Sequence, residues 1–209
     1  HRELGDLQAR LAAIDPAGWP VEQQVDHHLV RAEMNGLDFN IRMLKSWERD
    51  HAFYQSVWTY QSDTPAHEGP THHALVELWT YDFPLSAESE TKLAGELGTI
   101  SPLLAQARGN LTGDARDLWV AGTQNIRDQV EVLDGLAEQT AEAGDDLRSA
   151  LAEAREASAS FVAWLEEQAP SKTGPSGIGK DNYTWYLQNV HLVPLSWEDE
   201  VQLLRRELE

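Results

Sequence analysis

Apolar residues recur along the chain at intervals of three or four, and polar residues fill the positions between them. The first stripe of this kind consists of Leu4, Leu7, Leu11 and Ile14. Because residues three and four apart lie on the same side of a helix, the spacing predicts an amphipathic helix over residues 2–14. Pro20 then suits the first turn of a second helix, where its missing N–H costs nothing.

The second predicted helix is long. Its apolar stripe runs from Val21 to Trp47, which predicts about 28 residues ending near Glu48 and a length of roughly 42 Å. Gly36 lies inside it and costs about 1 kcal/mol relative to Ala. A helix of this length is typical of a bundle or an elongated helical array.

Two groups of aromatic residues follow. The first contains Phe53, Tyr54 and Trp58, and the second lies near residues 183–186. Such groups usually belong to a core, so we expect packing rather than a ligand platform. Between them, residues 61–71 form a polar loop with two prolines, and residues 72–79 are predicted to form a short helix.

Several helices are predicted in the second half. Ser86 is the expected N-cap of a helix from residue 87, and Ser101-Pro102 restarts a helix through residue 107. Helices over about 114–143 and 145–168 are separated by Gly144, which predicts an antiparallel pair. The stripe of the second member comprises Leu147, Leu151, Ala154, Phe161, Val162 and Leu165, with Ser158 in the gap.

Composition changes at residues 171–180, where three glycines and a proline predict a loop or hinge. Helices are predicted beyond it, the last of them capped by Ser196. No segment alternates with a period of two, so no sheet is predicted. We therefore predict an all-α fold, an elongated multi-helix bundle or array with long antiparallel helix pairs. Residues 1–170 form its helical domain, and residues 171–209 form the Gly-rich loop and C-terminal helices.

Charge and composition exclude several classes of partner and site. The chain has 35 acidic and 16 basic residues, a formal net charge of -19, which repels phosphate backbones. We therefore expect no nucleic-acid partner. We also expect no membrane span, because no uncharged apolar run reaches about 18 residues. Cysteine is absent, which removes thiolate zinc ligands, disulfides and cysteine nucleophiles.

Histidine and carboxylate pairs are the candidates for a metal site. His73 and Glu77 are four apart and would share one face if residues 72–79 are helical, giving a half-site of two ligands. His28 and Glu33 are five apart, which places them on different faces of a helix. Surface polar residues are the favoured interpretation of both pairs.

Two further motifs are incomplete. His67-Glu68 is followed by His72, one position too late for the His-Glu-x-x-His zinc motif, and Gly69-Pro70 breaks the helix which that motif requires. Residues 177–180 (GIGK) lack the spacing of a phosphate-binding loop. We therefore assign no catalytic, cofactor-binding or metal-binding residue.

The order of short motifs along the chain is informative. They are residues 26–30 (DHHLV, against Asp-x-x-Leu-Leu), 47–50 with Tyr54 (WERD, against Trp-x-x-Asp-Pro-x-x-Tyr), 100–111 (ISPLLAQARGNL, leading into Ala-x-x-Asn-Leu), 161–165 (FVAWL, against Phe-x-x-Trp-Leu) and 177–183 (GIGKDNY, against Gly-x-Gly-x-x-x-Tyr). This series resembles the N-terminal part of the bacterial family catalogued as domain of unknown function 885. The chain departs from the family at His51, where Pro is usual.

Members of that family resemble zinc metallopeptidases, are much longer and carry His-Glu-x-x-His downstream of the matching part. The resemblance implies that this chain is the helical N-terminal subdomain of a gluzincin-like peptidase. It places zinc and the catalytic residues in the rest of the full-length protein, whose catalytic half would be the partner of these helices. The main alternative is a stand-alone helical module that binds a protein partner without catalysis. A third hypothesis is a small metal-binding protein that uses His72, His73 and Glu77.

Overall fold

The computed structural model describes residues 2–61 and 72–208, which are mainly helical with very little strand. This confirms the predicted all-α fold. The α-helices of the described residues are α1 (Arg2–Ala12), α2 (Val21–Phe39), α3 (Ser46–Arg49), α4 (Ala87–Leu97), α5 (Ile100–Asn110), α6 (Arg116–Gln139), α7 (Asp145–Gln168), α8 (Lys180–Asn189) and α9 (Trp197–Glu207). None of them is both long and apolar enough to cross a membrane.

Short elements connect these helices. They are a π-helical turn (Asn40–Leu44), 3₁₀ turns (His51–Tyr54, Leu78–Thr80 and Ala169–Ser171) and the strands β1 (Val57–Trp58) and β2 (Val76–Glu77). The two strands pair in parallel, with Val57 opposite Val76. This two-stranded sheet contradicts the prediction of no sheet, because strands of two residues are too short to produce an alternating pattern.

The chain divides into two compact units. Of the described residues, the first unit holds 2–45 and 177–208, and therefore α1, α2, α8 and α9. The second unit holds 46–61 and 72–176, with α3 to α7 and both strands. The division predicted between residues 170 and 171 stays a prediction.

The first unit has a small apolar core. Phe39 at the end of α2 is buried, and its ring stacks on Trp185 of α8 with centroids 5.5 Å apart. The side-chain amide of Asn35 donates to the backbone carbonyl of Asn189 at 3.0 Å, which joins the same two helices. Ser196 caps α9 as predicted.

The second unit is built around α6 and α7. Polar side-chain contacts between them include Arg127 to Glu166, Gln129 to Ser158, and Asp134 to Arg155. Residue numbers rise along one helix as they fall along the other, so the pair is antiparallel, as predicted. The predicted stripe of α7 is also confirmed, since its residues face this core, with Ser158 buried in the gap.

The predicted helix over residues 21–48 is wrong at its C-terminal end. Lys45 adopts a left-handed conformation with φ of 48°, which interrupts the helical hydrogen bonds, and α3 begins after it. The carbonyl of Trp47 instead accepts a hydrogen bond of 2.7 Å from the Tyr54 hydroxyl. The apolar period continues to Trp47, but it does not extend the helix past Lys45.

The short helix predicted over residues 72–79 is also wrong. This segment contains β2 and the 3₁₀ turn Leu78–Thr80. The Val76 N–H donates to the carbonyl of Ser56 at 2.8 Å, and the Val76 side chain is fully buried. Pairing with a distant segment therefore decides the local structure here.

Candidate functional site

A single apolar stripe runs along α2, and only half of it is covered. Its members follow helical spacing: Val21, Val25, Leu29, Ala32, Gly36 and Phe39. The last three are buried, whereas Val21 is 73% exposed, Val25 49% and Leu29 51%. Apolar stripes of surface helices normally face a core. The exposed half of the α2 stripe (Val21, Val25 and Leu29) is therefore a candidate contact surface.

The last helix shows a similar gradient. Trp197 and Val201 on α9 are half-buried, while Leu204 is 61% exposed and Leu208, directly after the helix, 87%. These four residues share one helical face by their spacing. The first unit thus carries two apolar surfaces that the described residues leave open to solvent.

A buried polar network lies in the second unit. The Gln129 side-chain carbonyl accepts from the backbone N–H groups of Ser56 and Val57, at 2.6 and 3.1 Å. Its amide donates to the Ser158 hydroxyl at 3.0 Å, which in turn donates to the carbonyl of Ala154 at 2.8 Å. Every polar group of this network has a partner, so its role is to fix β1 against α6 and α7.

His51 is the most perturbed ionisable residue near this network. It is fully buried, and its Nε2 lies 3.1 Å from the Thr123 hydroxyl oxygen. The Thr123 hydroxyl donates its one hydrogen to the carbonyl of Trp119 at 2.7 Å, so His51 Nε2 is the donor in the first bond. Burial lowers the pKa of His51 to about 4, because a low-dielectric environment disfavours the charged ring. His51 is therefore neutral at pH 7.

The surroundings of His51 do not form a catalytic group. The neighbouring Asp50 carboxylate accepts from the backbone N–H of Ala52 at 2.9 Å and caps the 3₁₀ turn. Burial raises the pKa of Asp50. The Thr123 hydroxyl is turned toward a backbone carbonyl, so it is not poised as a nucleophile. The arrangement holds the turn on α6.

The structure does not bring the predicted metal candidates together. His73 lies in an exposed bend and Glu77 in β2, so they do not share a helical face. His72 packs on Phe53, with ring centroids 5.5 Å apart, and burial lowers its pKa. His67 and Glu68 lie outside the described residues. Within residues 2–61 and 72–208, no group of three or more His, Asp or Glu side chains could hold a metal ion.

The remaining candidates have structural surroundings. His27 on α2 is buried, with Nε2 3.4 Å from the carbonyl of Leu11, and His28 beside it is exposed. In the Gly-rich segment, Gly179 has φ of 85° and precedes α8. The Lys180 ammonium lies 3.7 Å from the ring centroid of Trp197, a cation–π contact rather than a phosphate cradle.

The first aromatic group packs as predicted. Tyr54 is 1% exposed, and its hydroxyl donates to Trp47 and accepts from the Asn110 amide at 3.0 Å. Burial raises the pKa of the Tyr54 hydroxyl. Phe53 packs against the same core.

Sequence reasoning missed the polar residues of this core. The apolar pattern of α6 selects Val130, whereas the structure buries Gln129. The signal is present in the spacing, since Gln129 lies three residues after Ile126 and four before Leu133. For His51, the only signal in the sequence is that it stands where proline is usual in the family that the sequence motifs resemble.

Comparison of the whole chain with protein-family models, curated proteins and solved structures finds no match. The geometry of the two units and the order of the sequence motifs are therefore the grounds for a functional proposal.

Proposed function

We propose that this chain is a non-catalytic helical docking subdomain, the N-terminal part of a protein similar to the domain of unknown function 885 family. In this proposal, the exposed half of the α2 stripe packs against the catalytic half of a gluzincin-like zinc peptidase. The observation that carries the proposal is the uneven burial of that stripe, from Phe39 at 2% exposed to Val21 at 73%.

The exposed half of the α2 stripe is continuous with its buried half, which favours a partner that extends the existing core. The buried end of the stripe packs on α8 through Phe39, Trp185 and Tyr186. The exposed end continues the same face, so a further apolar element could lie alongside it without rearrangement of α2. Burying three aliphatic side chains that are half-exposed or more stabilises such a contact by about 3 kcal/mol.

The histidines described here do not fit a zinc site. His51 donates to Thr123 in a closed core, His27 contacts a backbone carbonyl, and His73 has no neighbouring ligand pair. In this proposal, zinc and the His-Glu-x-x-His motif belong to the proposed catalytic half, as the resemblance implies. There it would supply a Lewis acid and an activated water.

A second function, a stand-alone interaction module, is favoured by the closed core of the second unit. Trp119 and Phe161 are fully buried there, as expected for a domain that folds on its own. The exposed half of the α2 stripe would then bind a separate protein.

The reading frame after Glu209 separates the two functions. A frame that continues for several hundred residues and encodes His-Glu-x-x-His supports the peptidase proposal. A stop codon directly after Glu209 contradicts it and leaves the module. Zinc-dependent peptide hydrolysis by these 209 residues alone would contradict both.

The docking surface itself is tested by association between this chain and the downstream product, made as two polypeptides. Leu29→Gln is expected to weaken association about tenfold, because it removes roughly half of a leucine's burial energy and adds a polar group. The control is Val30→Gln on the opposite side of α2, where Val30 is exposed to a similar degree, 45%. Equal affinities for both variants would show that another surface is used.

A further inference from the structure

A cleft of about 490 Å³ opens on the second unit, between the N-terminal half of α6 and the segment that follows α7. Its apolar lining comes from Trp119 and Val120 on α6, and from Ala169 and Pro170 in the 3₁₀ turn. This volume falls within the range of sites for small molecules, about 300–1,000 Å³. The proposed docking function does not use this cleft.

The charge of the cleft is opposite to that of the chain. Three cationic side chains line it, Arg116, Arg127 and Lys172, against one carboxylate, Glu166. The whole chain carries 35 acidic and 16 basic residues. A local excess of positive charge beside an apolar wall favours ligands that combine an anionic and an apolar group.

Lys172 is held in place. Its ammonium donates to the carbonyl of Gly113 at 3.0 Å and lies 4.3 Å from the ring centroid of Trp119. The following segment is also fixed, since one Asp114 carboxylate oxygen accepts from the N–H groups of Thr173 and Gly174, at 2.6 and 2.7 Å. An ammonium has three donors, so Lys172 keeps donors for a ligand. Such preorganisation reduces the entropic cost of binding.

The two arginines differ in whether their guanidinium groups already have an ion-pair partner. Arg127 already binds a carboxylate, that of Glu166, at 2.5 Å. The side chain of Arg116 is exposed and makes no hydrogen bond or ion pair with the described residues, while its backbone N–H donates to Gly174 at 3.1 Å. A guanidinium matches a carboxylate through two parallel hydrogen bonds. Arg116 is therefore the guanidinium that can accept a ligand without breaking an existing pair.

We propose that this cleft binds a small organic carboxylate that carries an apolar group. Arg116 and Lys172 hold the carboxylate, and the apolar group lies on Val120 and Pro170, which are exposed. A single negative charge is favoured over a polyanion, because the field of the remaining acidic surface repels each additional charge.

Calorimetric titration of the whole chain tests this proposal, with N-acetylphenylalanine as the probe. We expect a dissociation constant of about 1 mM, typical of a ligand of this size in a shallow site. N-acetylphenylalaninamide has the same shape without the charge and is expected to bind at least about tenfold more weakly. Inorganic phosphate, which lacks the apolar group, is also expected to bind more weakly than the acid.

Variants locate the site. Arg116→Gln and Lys172→Met are each expected to weaken binding of the acid about tenfold. Arg148→Gln is the matched control, since Arg148 is an exposed arginine of α7 that pairs with Asp145 outside the cleft. Because the Arg116 side chain makes no hydrogen bond or ion pair with the described residues, its substitution is expected to leave the circular dichroism spectrum unchanged.

Four results would overturn the proposal. They are no detectable heat up to about 20 mM acid, equal affinity for the acid and its amide, phosphate binding as tightly as the acid, and an affinity of the Arg116→Gln chain equal to that of the Arg148→Gln chain.

Discussion

Gln129 offers a direct measurement of what the buried polar network contributes to stability. The substitution Gln129→Met keeps the length and approximate volume of the side chain but removes its carbonyl and amide. The backbone N–H groups of Ser56 and Val57 then lose their acceptor. Both residues are buried, Ser56 at 0% and Val57 at 2% exposed, so water does not readily replace the carbonyl. Ser158 keeps its bond to Ala154 and is less affected.

The magnitude follows from these two donors. A buried N–H without a partner costs about 1–3 kcal/mol, and the apolar methionine returns part of this by its own burial. We expect the free energy of unfolding to fall by about 3 kcal/mol. Since a domain of this size is stable by only about 5–15 kcal/mol, such a loss is easily measured.

Urea denaturation, followed by far-UV circular dichroism and by tryptophan fluorescence, gives the free energy of unfolding and its denaturant dependence. Gln124→Met is the matched control, because Gln124 lies on the exposed side of the same helix; we expect a change within about 0.5 kcal/mol. A loss below about 1 kcal/mol for Gln129→Met would refute the reasoning, since it would mean that the two N–H groups find other partners.

Two further predictions concern the turn that packs on α6. The pKa of His51 is lowered from 6.5 to about 4 in the folded chain. Between these pH values the unfolded chain therefore binds more protons than the folded chain. The free energy of unfolding is expected to fall by up to about 3 kcal/mol as the pH falls from 6.5 to about 4. His51→Leu cannot be protonated and should show a clearly smaller loss in urea denaturation across this pH range; an equal loss would contradict the assignment. Gly122→Ala should destabilise the chain by about 1–3 kcal/mol, because its Cβ would lie 3.0 Å from the backbone nitrogen of Ala52. Gly135→Ala on the same helix places its Cβ where no atom lies within 4 Å and should stabilise the chain by up to about 1 kcal/mol. If thermal melts show that both substitutions shift the melting temperature in the same direction, this packing is contradicted.

Local signals predicted most of the helices well. Ser86 and Ser196 cap α4 and α9 through bonds to the residue three positions later, and such caps depend only on neighbouring residues. The α6–α7 pair was equally accessible, because each helix is long and the turn at Gly144 is short. In these places the information needed is contained within a few residues.

Contacts between distant residues explain where prediction failed. Residues 72–79 leave the helical pattern because Val76 pairs with Ser56, twenty positions earlier. The break at Lys45 lies where the first unit ends and the second begins, which the apolar period does not reveal. Neither feature has a local signal in the apolar pattern. The cleft was missed for a related reason: Arg116 and Lys172 are far apart in sequence and meet only after α6 and α7 have paired.

The α2 stripe shows that helical periodicity predicts the apolar side of a helix but not how much of that side is buried. The apolar period predicts Val21, Val25 and Leu29 as members of the stripe, because it reports which side of a helix is apolar. It continues through Met34 and Leu37, whereas the structure buries Ala32, Gly36 and Phe39. Burial depends on what lies against that side, and the neighbouring α8 contacts the C-terminal part of α2, at Asn35 and Phe39. A side chain in the exposed half contributes little to the stability of the isolated chain, so its apolar character there is better explained by a contact made with another surface. The same residues on a helix that needed no partner could be polar without cost to the fold. The exposed half of the stripe therefore argues for docking more strongly than the sequence motifs do, because it follows from burial in this chain and not from likeness to another.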